Sequence, residues 1–137
     1  MGATGPGLLV YLAIGPRDDE GLARHLAGRI ATLRIFPDGR GRMNRSVLEA
    51  GGEVLVVSQF TLYAACGRGH RPSFLGAAPP ATAIELCREF GEELTRLGVA
   101  RLAGGRFGAH MEVESVNDGP VTLVVSAGEG PWEADAG

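Results

Sequence analysis

The apolar run Val54-Leu55-Val56-Val57 stops at Ser58-Gln59-Phe60-Thr61-Leu62-Tyr63-Ala64. A second run, Val121-Thr122-Leu123-Val124-Val125, begins directly after Asn117-Asp118-Gly119-Pro120. Short apolar runs with such sharply defined polar ends constrain the fold more than any other feature of the chain, because they read as buried strands bounded by specific turns. The first run ends in two hydroxyls and an amide. The second is entered through a Gly-Pro dipeptide, which gives a stiff backbone with no bulk at its first residue. Together they point to a site built from backbone and hydroxyl groups rather than from charged side chains.

The rest of the chain supplies what such strands need around them. Leu8 to Ile14 is a further apolar strand, opened by Gly5-Pro6-Gly7 and closed by Gly15-Pro16. Asp18, Asp19 and Glu20 then start a helix, where acids suit the N-terminal dipole. Leu22, Leu26, Ile30 and Leu33 recur at helical spacing and give it one apolar face. Pro37-Asp38-Gly39 breaks the chain, and residues 38–46 form an arginine-rich connection. Glu53 to Ala64 reads as a long strand, and residues 65–80 as a loop. A second helix is expected to begin at Pro80 and end before Gly98. Ile84, Cys87, Leu94 and Leu97 share its apolar face, with Phe90 beside them. Met111 to Val116 alternates apolar and polar, as a half-exposed strand does. The expected architecture is a single α/β domain over residues 1–127. It has two main helices packed on a mostly antiparallel or mixed, barrel-like sheet, followed by a flexible acidic tail over 128–137.

Length and charge narrow the function. A chain of 137 residues can bury one real core. No apolar run approaches the roughly 20 residues of a membrane helix, and the N-terminus lacks the basic-then-apolar pattern of a secretory leader. Cys66 and Cys87 do not make a disulfide framework, so a cytoplasmic protein is the simplest expectation. Net charge is −3, which disfavours a generic nucleic-acid binder. All 13 basic residues are arginine. This reads either as bidentate phosphate recognition or as a compositional bias of the source. Two local clusters stand out, Arg40 with Arg42 and Arg45, and Arg68 with His70 and Arg71. Either fits a phosphate contact or an ordinary exposed loop.

The hydroxyl motif leaves alternatives open by itself. Thr61 as a nucleophile needs an activating base, and no histidine or carboxylate is near it in sequence. Ser58 and Thr61 as simple caps of a strand end is the plainer reading. Cys66 and His70 flank a glycine-rich loop, but two candidate ligands are too few for a zinc site. Cys87 fits a small core residue, and His25 and His110 fit solvent-facing positions.

Several motifs together resemble one family. Val56-Val57-Ser58-Gln59-Phe60-Thr61-Leu62-Tyr63-Ala64, Arg71-Pro72-Ser73-Phe74, Gly105-Arg106-Phe107-Gly108-Ala109 and Asn117-Asp118-Gly119-Pro120-Val121-Thr122 look like the signatures of the D-aminoacyl-tRNA deacylases. Gly5-Pro6-Gly7-Leu8-Leu9-Val10 and Met43-Asn44-Arg45-Ser46-Val47 are weaker matches. They stand in the family's order from residue 5 to about 126. The resemblance implies a homodimeric, cofactor-free and metal-free enzyme that hydrolyses D-aminoacyl-tRNA, and glycyl-tRNA with it, as chiral proofreading in translation. It implies a cis Gly119-Pro120 bond that reaches into the partner's pocket and excludes L-amino acids by clash. It implies that Ser58, Gln59, Phe60 and Thr61 form the catalytic turn, with amides around Phe60 and Thr61 as an oxyanion hole and the ribose 2′-hydroxyl activating water. Arg68 and Arg71 are the expected tRNA contacts. Family members carry two further strands ahead of the Gly-Pro-Gly-Leu-Leu segment, so an exposed sheet edge is expected here. Two rival functions remain: a truncated, non-catalytic dimer that binds aminoacyl-tRNA ends, and a thiol- or metal-dependent hydrolase using Cys66 and His70.

Overall fold

The computed structural model describes residues 2–128; the expected tail from 129 onward lies outside the described residues. Strand β1 covers Gly7–Leu12 and helix α1 covers Glu20–Thr32. A short ribbon follows, β2 at Phe36–Pro37 and β3 at Met43–Arg45. Strand β4 runs over Glu53–Ser58 and leads into one 3-10 turn, Phe60–Tyr63. Helix α2 covers Pro80–Leu97 and strand β5 covers Leu102–Gly104.

Helix ends fall where local chemistry puts them. The Asp19 carboxylate accepts from the Leu22 amide at 2.8 Å and caps α1. Pro80 lies in the first turn of α2, and Gly98 ends it in the left-handed conformation at φ 103°. Strand β4 is shorter than expected, because Gln59 turns the chain from extended into the 3-10 turn.

The main sheet has the order β1-β4-β5 and is parallel throughout, with Leu8 opposite Val54, Val10 opposite Val56 and Leu12 opposite Ser58. Antiparallel pairing is confined to the β2–β3 ribbon, so pairing is mixed in the molecule as a whole. The sheet is open and not closed into a barrel, which corrects the barrel-like expectation. The reason lies in connectivity. Strands separated by a helix-length crossover return parallel, whereas antiparallel neighbours need only a tight turn.

One face of the sheet carries the core. Leu8, Val10, Leu12, Val54 and Val56 alternate onto it and pack with Leu102 under both helices. Ala23, Ala27 and Ala31 of α1, four residues apart, are buried; their small size lets α2 come close. Phe90 and Leu94 of α2 are fully buried. Phe90→Ala would cost about 3–5 kcal/mol. The buried face of α2 is Ala83, Leu86, Phe90, Gly91, Glu93 and Leu94. It is rotated from the expected one, and Ile84 remains 49% exposed.

Two expected strands form no ladder among the described residues. Residues 111–116 and 121–125 have no strand partner, and Val116 and Val124 are 96% and 70% exposed. Their alternation marks strand-forming chain, but a strand also needs an edge to pair with. The outer edge of β1 likewise carries no strand among the described residues. A cavity of about 1400 Å³ separates β1 and α1 from residues 115–127. No helix among the described residues is long and apolar enough to cross a membrane.

Candidate active site

Strand β4 delivers Ser58 to the sheet end, and the Gln59 amide donates to the Leu12 carbonyl at 2.7 Å, fixing the strand exit against β1. The 3-10 turn then closes through Leu62 N–H to the Gln59 carbonyl at 3.2 Å. Phe60 and Thr61 head this turn, and the first N–H groups of a helical turn have no acceptor within it. The Gln59 side-chain amide donates to the Thr61 hydroxyl oxygen. No carboxylate or imidazole bonds the Thr61 hydroxyl among the described residues.

A loop is fastened to the turn from the other side. Ala65 and Ser73 exchange backbone hydrogen bonds at 2.7 and 2.9 Å. Phe74 then meets Phe60 edge to face, with ring centroids 5.4 Å apart. This brings the exposed Arg68 and Arg71 onto a loop held against the hydroxyl motif, although Phe60 itself stays 55% exposed.

Ser58 opens on a cavity of about 500 Å³ between the ends of β4 and β5 and helix α2, within the size range of small-molecule sites. Ile84, Cys87, Gly91, Gly104 and Phe107 give it apolar walls. At its rim, Arg88 donates to both Glu85 and Glu92, which leaves that part of the mouth with a net negative charge. Burial pushes the Cys87 thiol up to about 11, so it lines the wall as a neutral group. The sequence expectation placed Ile84 and Cys87 on the core face; Cys87 packs against the core and also lines this cavity, whereas Ile84 faces the cavity instead. Phe107 had no assigned role, and its only signal was membership of the Gly105–Ala109 motif.

Gly119 and Pro120 lie elsewhere. Their peptide bond is cis, as the resemblance implied. Asn117 donates to the Thr122 hydroxyl oxygen at 3.3 Å across the loop. The dipeptide borders the large cavity beside Leu62 and Tyr63, whereas Ser58 lines the smaller one. Within one chain, Ser58 and the Gly-Pro loop therefore line different cavities, whereas Leu62 and Tyr63 of the hydroxyl motif share the larger one with Gly119 and Pro120. Cys66 is exposed, and no group of three or more metal-ligating side chains occurs among the described residues.

The family model described as D-Tyr-tRNA(Tyr) deacylase matches residues 1–126. A D-aminoacyl-tRNA deacylase of Roseiflexus sp. (strain RS-1) is 58% identical over 127 residues, covering 93% of this chain and 81% of its own. One from Deinococcus radiodurans is 55% identical over 124 residues, covering 90% and 85%. Among solved structures, the c-Myc DNA Unwinding Element Binding Protein matches with a TM-score of 0.82 at 36% identity, over 90% of this chain and 84% of that one. A probable eukaryotic D-amino acid tRNA deacylase shares the fold, with a TM-score of 0.72 at 19% identity over 85% and 83%.

Proposed function

The chain belongs to the D-aminoacyl-tRNA deacylase family, and from that premise we propose how its residues carry the reaction. The activity is hydrolysis of the ester bond of D-aminoacyl-tRNA, which releases the amino acid and the tRNA. The aminoacyl group enters the 500 Å³ cavity beside Ser58, against Phe107 and Ile84. Its ester carbonyl lies over the head of the 3-10 turn, where the Phe60 and Thr61 amides donate to the oxyanion that forms. Removing one such donor from an enzyme costs about 10²–10³ in rate. Ser58 and Gln59 orient the substrate and the turn. Water attacks the carbonyl carbon; its proton passes to the terminal ribose 2′-hydroxyl as that hydroxyl hands its own proton to the adjacent 3′-oxygen, which leaves protonated when the C–O bond breaks. Thr61 is not the nucleophile in this reading, since its oxygen accepts from Gln59 and no base bonds it among the described residues.

Gly119 and Pro120 complete the site from a second copy of the chain. The observation that supports this is their placement on a different cavity from Ser58. With no Cβ, Gly119 lets the backbone approach the substrate's Cα, where an L side chain collides and a D side chain points away. Arg68 and Arg71, on the loop fastened through Phe74, hold the phosphates of the tRNA end. The working form is a homodimer in the cytoplasm, where translation supplies the substrate.

The test is hydrolysis of D- and L-tyrosyl-tRNA by the chain, followed by mixing two inactive variants. Gly119→Leu and Ser58→Leu proteins, each inactive alone, should recover activity together if the loop serves its partner's cavity. Absence of recovery would place the loop in its own chain's site.

A further inference from the structure

The β2–β3 ribbon ends in an exposed tip, Asp38-Gly39-Arg40-Gly41-Arg42, which the reaction described above does not use. The tip is held in one shape. The Asp38 carboxylate accepts from the Arg40 amide at 2.8 Å, the Arg42 amide at 3.1 Å and the Asn44 side chain at 3.4 Å. Those donors hold its carboxyl below the usual carboxylate range. Gly41 takes φ 75°, a left-handed turn position suited to glycine. A Cβ at Gly39 or at Gly41 would meet nothing within 4 Å, so the tip stands in open space.

Its charge is unspent. The one carboxylate of the turn is occupied by amide donors, not by guanidinium groups. Of the four helix arginines, Arg24, Arg88 and Arg96 pair with glutamates, and Arg29 lies in the last turn of α1. Arg34 is bound to Asn44, and Arg45 to the Glu49 carbonyl. The Arg40 and Arg42 guanidinium groups enter no ion pair or hydrogen bond among the described residues. Two arginines without an ion pair, separated by Gly41 on a braced turn, form a local positive site on a protein whose net charge is −3. Gly41, between them, borders the same cavity as Gly119 and Pro120. The tip thus stands on the side of the molecule from which the proposed chirality loop reaches its substrate.

We propose that Arg40 and Arg42 form a second RNA contact, holding phosphodiesters of the tRNA body through bidentate guanidinium–phosphate bonds. This rests on the deacylase reading and extends it from the aminoacyl end to the helix behind it. Phosphate contacts carry position rather than sequence, so the ribbon serves many tRNAs alike. Their signature is a salt-dependent affinity, because each neutralised phosphate releases condensed counterions.

The test compares the wild-type chain with the Arg40→Gln/Arg42→Gln double variant. KM for D-tyrosyl-tRNA should rise roughly tenfold or more, and the slope of log affinity against log salt should shrink by about 1.5. Hydrolysis of 3′-O-D-tyrosyl-adenosine, which has no phosphate, should be unaffected. The Arg40→Lys/Arg42→Lys variant should restore the salt slope but not all of the affinity. Arg24→Gln, which removes a paired arginine, should leave the slope alone. An unchanged KM and salt slope in the double glutamine variant would overturn the proposal. Binding of uncharged tRNA is measured in parallel. If the wild-type chain fails to cleave D-tyrosyl-tRNA, the catalytic reading falls, and the binding slopes still decide the ribbon.

Discussion

The Tyr63 phenol rests on the Cα of Gly15: a Cβ there would stand 2.7 Å from the hydroxyl oxygen and 3.1 Å from the ring carbon bearing it. Tyr63 closes the 3-10 turn that Phe60 and Thr61 open, so this contact sets the turn against the end of β1. Gly15→Ala should push the ring away and cost about 1–3 kcal/mol, the usual range for overpacking. Activity should fall further than stability alone explains. Adding Tyr63→Phe removes the nearest atom and should recover part of both losses. Urea midpoints and kcat on D-tyrosyl-tRNA measure this, and an unaltered Gly15→Ala protein would refute the packing argument.

The pKa of the Tyr63 phenol is raised by burial and further by nearby Asp18, whose carboxylate accepts from the Gly15 amide at 2.7 Å. Burial raises the Asp18 carboxyl above the ordinary aspartate value, against the lowering effect of that hydrogen bond, and neighbouring Asp19 raises it further. A carboxyl raised in the folded state favours folding below the unfolded value, and the advantage is lost as pH rises through the folded one. Asp18→Asn keeps an acceptor for Gly15 without the charge. Its stability relative to the parent should therefore improve as pH rises from below 3.8 toward neutrality. A pH-independent difference in denaturation midpoint would count against the burial effect.

Thr61→Ala should retain measurable turnover, because the hydroxyl oxygen accepts from Gln59 and has no base bonded to it among the described residues. A substrate ending in 2′-deoxyadenosine should be cleaved far more slowly by either protein. Trapping an acyl group on Thr61 would reverse the assignment.

A Cβ at Gly119 would meet only the Asn117 side-chain nitrogen at 3.9 Å, so Gly119→Ala should fold like the parent. It should nevertheless lose D-activity, because the added methyl occupies the approach to the substrate. Equal activity with equal stability would remove Gly119 from the site.

Exclusion by clash also predicts that glycyl-tRNA is cleaved well above L-alanyl-tRNA. In a merely apolar pocket the extra methyl would favour alanine by about 1–3 kcal/mol. The comparison uses one tRNA body charged with either amino acid, and equal rates would reject exclusion by the Gly119-Pro120 backbone.

The sequence by itself determined the features written in neighbouring residues. Asp19 as a cap, Pro80 in the first turn and Gly98 in the left-handed region fix helix ends through the backbone preferences of single residues. The runs that became β1 and β4 were legible for the same reason, as was the ordered set of motifs that identifies the family. Tertiary structure alone decided what those elements meet. Periodicity marks a face as apolar but does not say whether it meets core or cavity; hence Ile84 lines the pocket, Cys87 packs on the core and also lines the pocket, and Phe90 takes the core. Alternation marks Met111–Val116 as strand-like, but a ladder needs a free edge brought to it from a distant part of the chain, and no described edge reaches it. Only the fold could put Phe107 beside Ser58 and set Gly119 on another cavity, because contacts between residues so far apart depend on how the whole chain closes, not on the residues that flank them.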